Sequence, residues 1–196
     1  WWQENKLKKC IFYAKDSVDL IFHDLKIHPH SYSSFLRRKI KGKKLCKPVL
    51  NNLLTSGNVI PNSSVVVRRK ILMEINGVNE SPDLVAAEDY HTWLKIAQCT
   101  DGFLYLPYTL GNYTIHGGGI SNRDMTEPSF LAVKDFLQFL DFGQRKSVNA
   151  YLAYGTGRYK FIKGEFKDAT KHLKIVIRSG PIFEKLKTFT MLLIII

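Results

Sequence analysis

The feature that most constrains how this chain can fold is a change of hydrophobic rhythm near residues 122 to 128. Ahead of it, short β-branched runs alternate with stretches whose apolar residues recur every three or four positions. Beyond it only the helical spacing continues. Alternating runs of both kinds imply a sheet flanked by helices, and a purely helical remainder implies an appended bundle. The expected organisation is therefore an α/β segment over residues 1–125 and an all-α extension over residues 126–196.

Within the front segment, residues 3 to 14 place Leu7, Ile11 and Phe12 at helix-compatible spacing, and Val18 to His23 reads as a short buried strand. Val59-Ile60 and Ser63 to Val67 read as β structure, followed by a helix from Arg69 to Ile75 that stops at Asn76-Gly77. Ala87, Tyr90, Leu94 and Ala97 form the stripe of an amphipathic helix. Phe103 to Leu106 and Tyr113 to Ile115 read as two short strands around Pro107, before the flexible Gly117-Gly118-Gly119. In the extension, helices are expected near 127–142, 148–163, 166–178 and 181–194, parted at Gly143 and Gly164.

Of the 196 residues, 45% are hydrophobic and 12% aromatic, enough for a packed core. Lys and Arg number 29 against 17 Asp and Glu, and the net charge of +12 favours anionic partners such as sugar nucleotides, lipid diphosphates, phospholipid head groups or nucleic acid. Arg37, Arg38, Lys39, Lys41, Lys43, Lys44 and Lys47 crowd one Gly-containing stretch, expected as an exposed loop or a loosely packed helix. Its ordinary reading is a solvated surface, and its functional reading is peripheral contact with an anionic membrane or a lipid-diphosphate acceptor. Interleaved aromatics and a nucleic-acid module are both missing around it, so nucleic acid is not expected.

Cys10, Cys46 and Cys99 are odd in number and lack metal-ligand spacing, which argues against a disulfide framework or a zinc site and for a reducing cytoplasm. No stretch reaches the roughly 18–20 apolar residues of a membrane span. The apolar Phe189 to Ile196 fits either a buried tail helix or the start of a span. Trp1 to Leu7 reads as the middle of an element, so the sequence is taken as a fragment.

Four features carry candidate chemistry: Ser56-Gly57-Asn58 ahead of a strand, Arg68-Arg69 after it, Ala87-Glu88-Asp89 opening a helix, and Tyr113-Thr114-Ile115-His116 leading into glycines. In this order, and in the text between them from Ser56 to Ala97 and from Phe103 to Ser121, the chain resembles the family 2 glycosyltransferases of the GT-A fold. The resemblance covers about residues 1 to 122. Trp1-Trp2 and Asn5-Lys6-Leu7 fit the place just after that family's Asp-x-Asp motif, whose aspartates this sequence does not contain there. Thr114 stands where an Arg is frequent, and Val78 where an aromatic usually follows the Gly.

The resemblance implies a partial GT-A mixed sheet and an inverting transfer of a sugar from a nucleotide-sugar donor to a glycan or lipid-linked acceptor hydroxyl. Surface polysaccharide synthesis at the inner face of the cytoplasmic membrane is the implied setting. It also implies a divalent cation, Mn²⁺ or Mg²⁺, with its main ligands upstream and His116 as a late ligand. Asp89 has the chemistry of the base that takes the acceptor proton, with Glu88 beside it in a positioning role. A helix N-terminus favours its ionised form. Gly57 and Asn58 would lie near donor or acceptor, since a residue without a side chain admits a ligand close to the backbone. Trp93 is a core residue or an acceptor platform.

Plainer readings stand beside these: an acidic pair at a helix start, a loop histidine, and a simple turn at Gly57. In the extension, Gly157, Gly164, Phe166, Ala169, Leu173 and Pro181 match one tetratricopeptide-like hairpin, with Lys160 in place of its usual Tyr. An ordinary two-helix extension explains the same residues. The competing function is a non-catalytic basic and helical docking module that keeps a relic of the GT-A fold.

Overall fold

The computed structural model describes residues 1–29, 39–115 and 123–195. Its centre is strand β1 (Leu20–Pro29), which pairs in parallel along its whole length with β4 (Phe103–Ile115). The other edge of β1 carries two short antiparallel partners, β3 (Val66–Val67) opposite Ile21 and Leu20, and β2 (Lys39–Ile40) opposite Leu25 and Lys26. The result is a four-stranded mixed sheet. On the outer edge of β4 the first residues add a bridge, Trp2 opposite Gly111.

Every residue from Leu20 to Leu25 is buried, because both edges and both faces of β1 are covered. Side chains alternate across a strand. Leu20 and Phe22 enter the larger hydrophobic cluster, whereas Ile21 joins a smaller one with Cys10 of α1 (Lys6–Tyr13) and Leu106 of β4. The larger cluster is built with α2 (Val49–Ser56) and α4 (Glu88–Cys99) and receives Ile71 of α3 (Arg69–Glu74). Each fully buried Leu or Phe contributes about 1.5–3 kcal/mol, so these residues hold the sheet between its helices.

Two local expectations differ, and one helix lies where none was expected. The apolar residues Val49, Leu50, Leu53 and Leu54 form the buried face of helix α2, which the asparagines between them and the preceding Pro48 conceal in the sequence. Residues Asn62–Ser64 make a 3-10 turn, leaving only Val66–Val67 as strand. The Ser64 hydroxyl there accepts from the backbone N–H of His23 at 3.2 Å. Finally, Phe103 to Ile115 is one strand with an irregularity rather than two, since the register moves from His23 opposite Leu106 to Asp24 opposite Thr109. Pro107, which has no N–H to donate, occupies that break in the ladder.

Beyond residue 125 the described residues are helices and one 3-10 turn: α5 (Thr126–Lys134), α6 (Phe142–Ile162), α7 (Phe166–Ser179) and α8 (Ile182–Ile195). Gly143 lies inside α6 rather than before it, because Asp141 and Gln144 form a capping box that starts the helix early. Helices α6 and α7 make an antiparallel hairpin around Gly164, whose φ is +77°. Gly157 permits the close approach, for a Cβ there would stand 2.8 Å from the Leu173 side chain. Ala132, Val133, Phe136, Leu140 and Val148 enter the same cluster as Leu20 and Phe22, so the extension shares the core of the sheet. Among the described residues no helix is long and apolar enough to cross a membrane.

Candidate functional site

Helix α2 ends at Gly57, whose φ of +77° suits a residue without Cβ. The chain then presents Asn58, an exposed residue. The second turn approaches from Pro82–Leu84, a 3-10 turn capped by the Ser81 hydroxyl, through Ala86 at φ +74°. A positive φ at alanine is a strained conformation. The backbone N–H of Ala87 donates to the Leu84 carbonyl at 2.7 Å, and α4 begins at Glu88.

These two turns meet. The Asn58 side-chain amide donates to Oδ1 of Asp89 at 3.3 Å, and the backbone N–H of Tyr90 donates to the same oxygen at 2.6 Å. Asp89 is half-buried, and burial is the largest influence on its carboxyl, pushing its pKa above the ordinary 3.8. The neighbouring Glu88 charge acts in the same direction, while the Tyr90 and Asn58 hydrogen bonds oppose it. The helix-terminus argument favours the ionised carboxylate, but desolvation outweighs it. The Glu88 oxygen Oε2 is buried and has no hydrogen-bond partner among the described residues.

Behind Asn58 and Tyr90 lies a cavity of about 240 Å³. The front segment lines it with Asn58, Ala86, Ala87 and Tyr90, and the extension with Met125, Thr126, Ser129, Tyr151, Leu152, Tyr154, Gly155 and Thr156. Tyr90 fixes one wall, its hydroxyl donating to the Leu53 carbonyl at 2.9 Å and thereby tying α4 to α2. The Tyr151 ring meets Tyr90 edge-on at 6.5 Å, and its hydroxyl accepts from the Asn58 backbone N–H at 3.5 Å. Burial raises the pKa of both phenols. Thr126 and Thr156 join hydroxyls at 3.0 Å across the mouth of the α5 and α6 pair.

Among the residues singled out by sequence, Gly57, Asn58, Glu88 and Asp89 therefore gather at the start of α4. Of these four only Asn58 lines the cavity, and Trp93 is set apart from them, buried in the main cluster. His116, the adjoining glycines, Arg37 and Arg38 lie outside the described residues. Lys39, Lys41, Lys43, Lys44 and Lys47 are exposed. Gly42 between them is pinned to the sheet, its N–H donating to Asp24 at 3.0 Å.

No group of three or more His, Cys, Asp or Glu side chains that could hold a metal ion occurs among the described residues. The tyrosines and hydroxyls of the extension went unnoticed in the sequence because Tyr151, Tyr154 and Thr156 read as an ordinary helix face. No protein-family model, no curated protein and no solved structure matches this chain.

Proposed function

We propose that this chain forms the acceptor-side part of a nucleotide-sugar-dependent glycosyltransferase, with Asp89 as the base of an inverting transfer. The observation that carries the reading is the Asn58 to Asp89 hydrogen bond, which joins two separate sequence motifs beside an uncharged cavity. In the reaction, the acceptor oxygen forms a bond to the anomeric carbon as the bond from that carbon to the nucleotide diphosphate breaks. The proton of the acceptor hydroxyl passes to Asp89. Since Oδ1 is engaged by Asn58 and Tyr90, Oδ2 is the oxygen left to receive it.

Burial tunes this group in the useful direction, because a base whose pKa is raised holds the transferred proton more readily. Glu88 adds negative charge beside Asp89. Asn58 presents its polar side chain at the cavity wall, while the face of Gly57 that a Cβ would occupy is filled by the Tyr151 ring. Trp93 supports the reading only by packing α4 in place. The resemblance assigns a Mn²⁺ or Mg²⁺ ion, which would neutralise charge on the leaving diphosphate, to upstream ligands and His116. Surface polysaccharide synthesis at the cytoplasmic membrane face is the setting proposed.

The docking-module alternative draws on a different observation, the exposed row of Ile182, Leu186, Phe189 and Leu193 along α8. The test between the two is transfer of labelled sugar from a panel of sugar nucleotides by this chain and by any longer polypeptide that contains it. Transfer supports the enzyme reading, and its absence across the panel supports the module.

A further inference from the structure

Gly155 sits in the middle of α6, where glycine weakens a helix relative to alanine. Its neighbour Gly157 has a packing reason, because Leu173 crosses directly above it. Gly155 has none: a Cβ built there meets nothing within 4 Å. Gly155 is exposed and stands on the rim of the cavity beside Asn58. A larger side chain at this position has open space around it at that rim.

The chemistry of the lining is equally specific. In a chain with a net charge of +12, no described residue lining this cavity is charged. A nucleotide diphosphate or a phosphate group would find no cation there. The walls offer instead the rings of Tyr90, Tyr151 and Tyr154 and the Ser129 hydroxyl, beside the mutually bonded Thr126 and Thr156, whose remaining lone pairs can still accept. Aromatic faces take the C–H face of a saturated ring, and hydroxyls exchange hydrogen bonds with a polyol. The volume of about 240 Å³ falls below the range of about 300–1,000 Å³ that houses drug-sized ligands, which suits one ring.

We propose that this cavity binds a single neutral pyranose of the acceptor glycan, and that the helical extension, through α5 and α6, supplies most of that subsite. The proposal rests on the glycosyl-transfer reading for the word acceptor, and adds to it the acceptor's charge class and the part of the chain that selects it. The ring enters beside Asn58, which links the cavity wall to Asp89 through its side-chain amide.

The experiment is saturation-transfer-difference NMR on the purified 196-residue chain. The probes are the methyl glycosides of glucose, galactose, rhamnose and N-acetylglucosamine, with uridine diphosphate as an anionic competitor. At least one glycoside should receive saturation, and uridine diphosphate should not displace it. Gly155→Ala should retain the signal, whereas Gly155→Phe, which sets a ring on the cavity rim from an unstrained helical position, should weaken it several-fold or lose it. Ser129→Ala should reduce it at least several-fold and keeps the test decisive if Gly155→Phe does not fold by circular dichroism. Silence from all four glycosides, a signal unchanged in Gly155→Phe and Ser129→Ala, or displacement by uridine diphosphate would each overturn the proposal. The readout needs neither donor nor turnover, so its failure is separate from failure of the transfer reading, which is read from turnover alone.

Discussion

Tyr151 of α6 closes over Gly57 at the end of α2, leaving no room for a Cβ on that glycine outside the tyrosine ring. This contact joins the helical extension to the turn that carries Asn58. Gly57→Ala therefore meets two obstacles, a positive φ and the phenol ring. We expect it to destabilise the protein by about 2–4 kcal/mol. Replacing the ring by Tyr151→Leu should recover at least about 1 kcal/mol of that loss in a double-mutant cycle. Urea unfolding of the four proteins measures it, and simple additivity would show that the two residues do not touch.

Asp89 should limit stability at neutral pH. Its folded carboxyl titrates above the ordinary 3.8, chiefly because it is buried, so folding favours the protonated form. The stability that this group contributes is complete below the unfolded value and is lost as pH rises through the folded one. Asp89→Asn cannot ionise and keeps an oxygen for the Asn58 and Tyr90 donors. The variant should melt above the wild type at pH 7, with the gap closing as the pH falls below 3.8. A wild type that melts higher at pH 7 would contradict the burial argument.

Lys6 provides a second pH dependence with the opposite course. Its side chain is fully buried, and burial lowers its pKa from 10.5 to about 8 despite the Trp2 ring 3.6 Å from Nζ. Below pH 8 the fold buries a charged ammonium, and from there to pH 10.5 it is progressively favoured over an unfolded chain that still holds the proton. Lys6→Met should be more stable than wild type at pH 7 by roughly 1–3 kcal/mol. That advantage should shrink toward pH 10.5 in paired thermal melts.

The hairpin of α6 and α7 rests on a small set of residues. Leu173 and Ala169 are fully buried against α6, and Gly157 admits Leu173. Leu173→Ala should cost about 2–5 kcal/mol. Because α5 and α6 share the core of the sheet, that loss should appear in a single unfolding transition. Two separated transitions by circular dichroism and tryptophan fluorescence would mean that the hairpin unfolds independently.

How much of this was legible in the sequence depended on how local the cause was. Helix α4 was readable because Tyr90, Leu94 and Ala97 recur at helical spacing, and its core face is where they lie. The stop at Asn76-Gly77 was readable because both residues adopt positive φ. Helix α2 was hidden, since its four buried apolar residues flank polar asparagines and follow a proline. The continuity of β4 across Pro107 depends on its partner β1, which no local pattern reveals. The meeting of Asn58 with Asp89 was legible only as two motifs, and the Tyr151 wall not at all, because 93 residues separate Tyr151 from Asn58. Tertiary proximity, rather than residue type, made that part of the site.

The most direct measurement of the central claim is the kcat of sugar transfer by Asp89→Asn, set beside the wild type in this chain or in any longer polypeptide containing it that shows the activity. The substitution preserves size and hydrogen bonding at Oδ1 but removes the proton acceptor. The account predicts a fall in kcat of about a hundredfold or more, with folding intact and a smaller loss for Glu88→Gln. An Asp89→Asn enzyme with wild-type turnover would contradict it and leave the acidic pair as the opening of a helix.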